Sequence, residues 1–334
     1  MAWMARGISI AGALILAGCA SRPLPSLAIV ATAPGTSRID LLVATTRKPS
    51  QDDGIRFSGE RASMPSFATM TVSIPPNHKT GDVLWSATSP PDAASAFAAV
   101  GFTGLDGSRM REAVRQKIRL TGRSHVLVFV HGYNTRFDEA AFRLAQIVHD
   151  SQAPVTPILF SWPSWGSLAS YPYDRESAAV SRDALESLLS EAARESSVTQ
   201  ISVLAHSMGG WLTLETLRQI VIRNGTVHPK IGNVMLASPD IDIDVAGSLS
   251  RTLLDARHRP KMTLFVSSDD RALSASRFLW GSKDRLGSIN PENEPYRSRL
   301  ERGGIEVIDL TAIKSRDALN HGKFAASPPV VRAI

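Results

Sequence analysis

Ser207 lies in Ala205-His206-Ser207-Met208-Gly209-Gly210, directly after the apolar run Ile201-Ser202-Val203-Leu204. From Met208 onward, Leu212, Leu214, Leu217 and Val221 recur at helical spacing. The pattern predicts a short strand, a sharp turn and a helix that meet at this serine. Such a turn is strained, and small residues two positions either side of its apex keep it clear of the neighbouring strand and helix. Ala205 and Gly209 meet that need. A helix that starts at Met208 aims its unbonded N–H groups and positive end at the place where negative charge would develop. The chemistry that suits this layout is attack by a hydroxyl on an electrophilic carbon. A hydroxyl is a weak nucleophile until a base takes its proton, so an imidazole and a carboxylate to orient it are needed. The histidines after Ser207 are His228, His258 and His321. The carboxylates that follow apolar runs are Asp240 and the pair Asp269-Asp270.

The elements that must position these groups alternate. Val126–Val130, Val155–Trp162, Gln200–Ala205, Ile231–Leu236, Met262–Val266 and Ile305–Leu310 read as buried strands. Between them, Arg136–Asp150 carries Phe137, Ala141, Leu144 and Val148 on one helical face. Arg175–Glu195 carries Ala178, Leu185, Leu188, Leu189 and Ala192 in the same way. Strands that alternate with helices predict right-handed crossovers and an α/β fold, a mainly parallel central sheet with helices on both faces. Ile39–Thr45 and Thr69–Ile74 read as antiparallel edge strands of that sheet. Gly281–Arg302, rich in Gly, Pro, Asn and charge, reads as a long loop. There is no internal repeat, and residues 38–334 are expected to form one domain.

The segment around Ser207 resembles the nucleophile elbow of the α/β-hydrolase superfamily, written Gly-x-Ser-x-Gly, with Ala205 in place of the first glycine. The resemblance implies Ser207 as nucleophile and the chain order serine, acid, histidine. His321, in Asn320-His321-Gly322 after the last expected strand, then takes the place of the base. The acid belongs after the penultimate strand. Asp270 in Ser267-Ser268-Asp269-Asp270-Arg271-Ala272-Leu273 is preferred, with Asp269 and Asp240 as alternatives. The oxyanion donors implied are the backbone N–H groups of Met208 and Tyr133, the latter in His131-Gly132-Tyr133-Asn134. His206 is expected to pack beside the elbow and point away from the chemistry. Three segments, His131–Asn134, Phe160–Ser164 and Ala205–Gly209, also resemble a bacterial branch of esterase/lipase type known as a domain of unknown function.

The expected activity is hydrolysis of a small-molecule carboxylic ester through an acyl-enzyme. Acyl transfer, amide hydrolysis and a non-catalytic binding role at the cell envelope are the alternatives. No cofactor is required. Asp240, Asp242 and Asp244 do not form an EF-hand loop, because its glycine and glutamate positions hold Val245 and Arg251. They are expected to cap the following helix. Trp162, Trp165, Tyr171 and Tyr173 stand where they would either line an acyl pocket or pack. No long insertion suggests a lid, which favours soluble or short-chain esters.

The N-terminus reads as an address. Arg6 is followed by the apolar stretch Gly7–Leu16, too short to span a bilayer. Leu16-Ala17-Gly18-Cys19 resembles the lipobox of bacterial lipoproteins. That implies a signal peptide over 1–18, lipidation of Cys19, and attachment to a membrane. Residues 19–37, with Pro23, Pro25, Pro34 and Gly35, read as a tether. Ala20 follows the cysteine where an aspartate would favour the inner membrane, so the outer membrane is expected. Cys19 is the single cysteine, which excludes an internal disulfide. The net charge of +6 comes from scattered basic residues, without the stripe that nucleic-acid binding uses.

Overall fold

The computed structural model describes residues 27–280 and 283–332. The strands are β1 (Ser37–Pro49), β2 (Phe57–Ile74), β3 (Ala98–Leu105), β4 (His125–Val130), β5 (Val155–Ser161), β6 (Gln200–His206), β7 (Ile231–Ala237), β8 (Lys261–Val266) and β9 (Glu306–Asp309). The helices are α1 (Met110–Thr121), α2 (Phe137–Ser151), α3 (Tyr171–Val180), α4 (Arg182–Arg194), α5 (Met208–Asn224) and α6 (Ile243–Leu254). After them come α7 (Arg271–Trp280), α8 (Tyr296–Gly303), α9 (Lys323–Ala326) and α10 (Pro328–Val331).

Successive residues of β4 bury on opposite sides. Val126, Val128 and Val130 enter one core with Leu212, Leu217 and Leu249, while Leu127 and Phe129 enter a second with Phe137, Leu144 and Phe324. A strand apolar at every position needs cover on both faces. Here α4, α5 and α6 cover one face, and α2 with the C-terminal α9 and α10 the other. The nine strands form one sheet in the order β3-β2-β1-β5-β4-β6-β7-β8-β9. From β1 to β9 the neighbours are parallel, and β1–β2 and β2–β3 are antiparallel. The chain steps from β4 outward to β5 and then returns to β6 on the other side of β4. The connections that leave β4 and β6 therefore diverge, and open sheets place ligands in such a crevice at their strand C-termini.

The structure departs from expectation, beyond the unpredicted α1, as follows. The N-terminal antiparallel strands are present, but β3 forms the edge and β1 lies inside, paired to β5 through Leu42–Thr45. The helical stretch 175–195 is two helices, broken at Ser181, whose hydroxyl bonds to the Ser177 carbonyl and to Thr46 Oγ. The loop 281–302 contains a helical turn at 286–288 and the start of α8. Residues 27–37, expected to belong to a tether, are fastened to the domain: Leu27 is buried in the second core, its N–H bonds to the Gly54 carbonyl, and the Val30 N–H bonds to the Ala99 carbonyl. The expected signal peptide over 1–18 and the expected lipidation of Cys19 fall outside the described residues. No described helix is long and apolar enough to cross a membrane.

Candidate active site

Ser207 stands between β6 and α5 with φ 53° and ψ −121°. A non-glycine residue held there is strained and must be held by its surroundings. Those surroundings are close. Ser207 donates its N–H to Ala237 on β7 at 2.9 Å, and its carbonyl accepts from the Gly210 N–H at 2.9 Å. A Cβ on Gly209 would stand 2.4 Å from the His131 carbonyl oxygen and 2.6 Å from that of Val130. That contact is why the second small position is glycine, whereas the buried Ala205 tolerates its methyl. Met208 opens α5 and is fully buried.

His321 comes from the loop after β9. Its Nδ1 donates to Asp270 Oδ2 at 2.7 Å, and Asp270 is completely buried. The other Asp270 oxygen accepts the Leu273 N–H at 2.9 Å, within the first turn of α7. With Nδ1–H committed to a carboxylate, Nε2 is the nitrogen left for a proton from substrate or serine. Burial pushes the His321 pKa down. The charge and hydrogen bond of Asp270, with the charges of Asp240 and Asp317, outweigh burial and raise it above 6.5. The loop is fastened by Asp317, whose Oδ2 accepts the N–H of His321 at 2.7 Å and of Gly322 at 2.6 Å.

Asp269 and Asp240 have other partners. Asp269 forms an ion pair with the buried Lys323 at 2.7 Å and accepts from Asn320 at 2.9 Å. It thereby ties α9 and the histidine loop to β8. Asp240 is buried and accepts from Tyr171 at 3.0 Å and Ser276 at 2.9 Å, with the Arg285 guanidinium at 3.5 Å. Asp242, as expected, caps α6 by accepting from the N–H groups of Asp244 and Val245.

His206 does not point away from the chemistry. Its ring packs 4.6 Å from that of His321 and 4.8 Å from Phe324, centroid to centroid. Its Nε2 donates to the His321 carbonyl at 3.2 Å. Burial, then repulsion from His321, drives its pKa well below 6.5, so it stays neutral. The residue before Ser207 thus packs against the His321 imidazole and brings His321 beside the elbow.

The loop His131–Thr135 lies against the elbow: a Cβ on Gly132 would be 2.9 Å from Ser207 Cβ. Its fastenings come from Phe160–Ser164 and from Asp174. Trp162 Nε1 donates to the His131 carbonyl at 2.8 Å, and its ring stacks on His131 at 5.0 Å and 14°. Ser164 Oγ accepts the Thr135 N–H at 3.0 Å and donates to Asp174. Asp174 also accepts the Asn134 N–H at 3.2 Å. The Gly132 carbonyl is turned to His131 Nδ1 at 2.8 Å. In a trans peptide the Tyr133 N–H points the opposite way. Trp162 is therefore packing. Tyr171 is buried against Asp240 and edge-on to Tyr133 at 5.1 Å, while Trp165 is 49% exposed and edge-on to Tyr173. A cavity of about 460 Å³ beside Phe67, Phe160 and Leu188, and one of about 510 Å³ between α6 and α8, contain none of Ser207, Asp270 or His321.

Among the described residues, His78, His149 and Asp150 are grouped as metal ligands can be. The His78 Nε2 and His149 Nδ1 stand 2.6 and 3.0 Å from the same Asp150 oxygen. Ligand atoms around zinc at ~2.0–2.2 Å spread to about 3.3 Å in a tetrahedron. The spacing fits hydrogen bonds better, and the group clamps the 75–82 segment to α2.

His206 packs beside the elbow as expected, but toward His321 and not away from it; the residues that sequence reading missed are His131 as a side chain, Asp174 and Asp317. Each acts through a neighbour, and none has a spacing signal of its own.

Residues 107–334 match the profile of a family described as "Alpha/beta hydrolase of unknown function (DUF900)". Over 122 residues the chain is 28% identical to the uncharacterised protein alr1448 of Nostoc sp., a match that covers 29% of this chain and 32% of that protein. It thus spans about a third of the relative's length. Among solved structures it is similar to an esterase of Pyrobaculum calidifontis, at 13% identity, 80% of this chain, 79% of that chain and TM-score 0.38. It is also similar to a lipase-esterase related protein of Clostridium acetobutylicum, at 11% identity, 64% of this chain, 93% of that chain and TM-score 0.38.

Proposed function

Because the chain belongs to this α/β-hydrolase family of unknown function, we propose that it is a serine hydrolase that cleaves carboxylic esters through an acyl-enzyme on Ser207. The observation that carries the reading is the buried Asp270 carboxylate on His321 Nδ1 at 2.7 Å, in the loop packed on the residue before the elbow serine. In the proposed cycle, Ser207 Oγ attacks the ester carbonyl as His321 Nε2 takes its proton. Asp270 holds the imidazole and stabilises the imidazolium, without itself taking the proton. The N–H groups of Met208 and Tyr133 receive the negative charge that develops on the carbonyl oxygen. Such donors are worth roughly 3–4 kcal/mol each when removed from comparable sites. His321 gives the proton to the leaving alcohol. Water then attacks the acyl-enzyme, again losing its proton to His321, and the acid leaves. The positive end of α5 favours the oxyanion as well. We also propose that Cys19 is lipidated and holds this domain at the cell envelope, facing the periplasm or the outside.

The test is turnover of a series of nitrophenyl esters by the full chain and by Ser207→Ala, alongside labelling with a fluorophosphonate probe. The expected result is turnover and labelling by the wild type and neither by the variant. Equal turnover by a folded Ser207→Ala would overturn the reading.

A further inference from the structure

Arg47 stands near the end of β1, an element that brings no nucleophile, base or acid to the site. It is 1% exposed, yet among the described residues no hydrogen bond of its guanidinium goes to a carboxylate. A buried cation is costly unless its hydrogen bonds are met. Its Nε donates to Ser161 Oγ at 2.8 Å, one terminal nitrogen to the carbonyls of Ser164 and Ser58, and the other to the Thr135 carbonyl at 2.7 Å. That second nitrogen also faces His131 Nε2 at 3.4 Å. The cation is thus built into the underside of the His131–Thr135 loop.

Two contacts of the His131 ring favour the Nδ1–H tautomer. A guanidinium only donates, so the nitrogen that faces it, Nε2, must be an acceptor. Ser161 Oγ, at 3.1 Å from the same Nε2, accepts from Arg47 Nε and keeps its hydroxyl hydrogen to donate to a bare ring nitrogen. Nδ1 faces the Gly132 carbonyl at 2.8 Å and must be the donor. Burial and the charge of Arg47 push the His131 pKa down to about 3, which keeps the imidazolium unpopulated.

We propose that Arg47 is a positioning residue that locks His131 in its Nδ1–H tautomer, so that the ring holds the Gly132 carbonyl and turns the Tyr133 N–H toward the developing oxyanion. The opposite tautomer would face the Gly132 carbonyl with a bare nitrogen, and the peptide would lose its orientation. The oxyanion part rests on the hydrolase reading; the tautomer part does not.

The first measurement needs no variant. Ring ¹⁵N shifts of His131 in the full chain, assigned through its backbone, should report protonated Nδ1 and bare Nε2, unchanged across roughly pH 5–8 where ordinary histidines titrate. A protonated Nε2, or titration in that range, overturns the proposal whether or not the protein hydrolyses esters. The second measurement is a double-mutant cycle per active site titrated with fluorophosphonate. Arg47→Gln should lower kcat about 10- to 100-fold with KM within about twofold, since the donor acts in the transition state. In a His131→Phe background, which keeps the stack on Trp162, the same change should cost less than about threefold more. Additive losses in kcat would mean that Arg47 does not act through His131. Absence of fluorophosphonate labelling in the wild type would count against the hydrolase reading alone, and the ring shifts would still decide the tautomer.

Discussion

One carboxylate, Asp270, holds both His321 and the start of α7: its Oδ2 takes the His321 Nδ1–H at 2.7 Å, and its Oδ1 takes the Leu273 N–H at 2.9 Å. Position and charge are thus coupled, because the helix cap fixes the acid that fixes the base. Asp270→Asn keeps an oxygen for one partner but can present an amide to the imidazole and favour the wrong tautomer. In a serine protease the equivalent change costs about 10⁴ in kcat, and a loss of about 10³–10⁴ is expected here with a far-ultraviolet spectrum like the wild type. A kcat within tenfold of wild type would remove Asp270 from its role.

The pH dependence has opposite signs for activity and stability. The Asp270 pairing raises the His321 pKa above 6.5 against the pull of burial. The base must be neutral, so kcat/KM should fall as pH drops through a value above 6.5. The protonated pair contributes stability in full below the unfolded pKa, and that contribution is lost as pH rises through the higher folded pKa. Asp270→Asn should lower the kinetic inflection. An inflection below 6.5 in the wild type would contradict the assignment, and a pH–rate profile beside a thermal-melt series checks both signs.

Gly209 tests the elbow without touching a reacting group. A methyl there meets the His131 and Val130 carbonyls at 2.4 and 2.6 Å. Gly209→Ala should therefore separate the Ser207 turn from the His131 loop. The expected result is a melting temperature lowered by several degrees, from a strain of about 1–3 kcal/mol, and at least a tenfold slower fluorophosphonate reaction. Wild-type values for both would show that the two loops do not need this contact.

Asp269 separates structure from chemistry in the same loop. Its removal leaves Lys323, 1% exposed, with the Leu310 and Thr311 carbonyls as its remaining partners among the described residues. Asp269→Ala should cost about 1–3 kcal/mol in urea unfolding, less than a fully buried pair because the carboxylate is itself 41% exposed. Its kcat per titrated active site should stay within about threefold of wild type. A loss as large as that of Asp270→Asn would make Asp269 part of the chemistry.

The proposed anchor is tested by Cys19→Ala, which should move the protein from the membrane fraction to the soluble one, since more than one acyl chain is needed for firm attachment. Retention in the membrane fraction would reject lipidation as the means of attachment.

Much of the site was legible because its signals are local. Ala205–Gly209 announces itself by small residues around a serine between two periodic runs, and β4, β6, β7 and β8 begin and end within a residue or two of their apolar stretches. β3 was not legible: Gly101 and Gly104 interrupt it, and only its first two residues are buried. α1 carried a readable pattern in Met110, Val114 and Ile118 that went unread. The choice of Asp270 over Asp269 depends on which oxygen faces a loop 51 positions later, a relation that neighbours in sequence do not encode. Arg47 was hidden for a different reason. A buried guanidinium bonded to backbone carbonyls, a serine and a histidine has no partner at a fixed spacing, so in sequence it resembles any surface basic residue.

The two ends of the described chain share one interior. Leu27, before the first strand, and Val330, in the last helix, belong to the same apolar core under β1 and α2. That core closes only after the last residues are made, so the domain should unfold as a single cooperative unit. Trimming either end would open the core that Phe324 shares with Leu27 and Val330, and with it the packing behind His206 and His321.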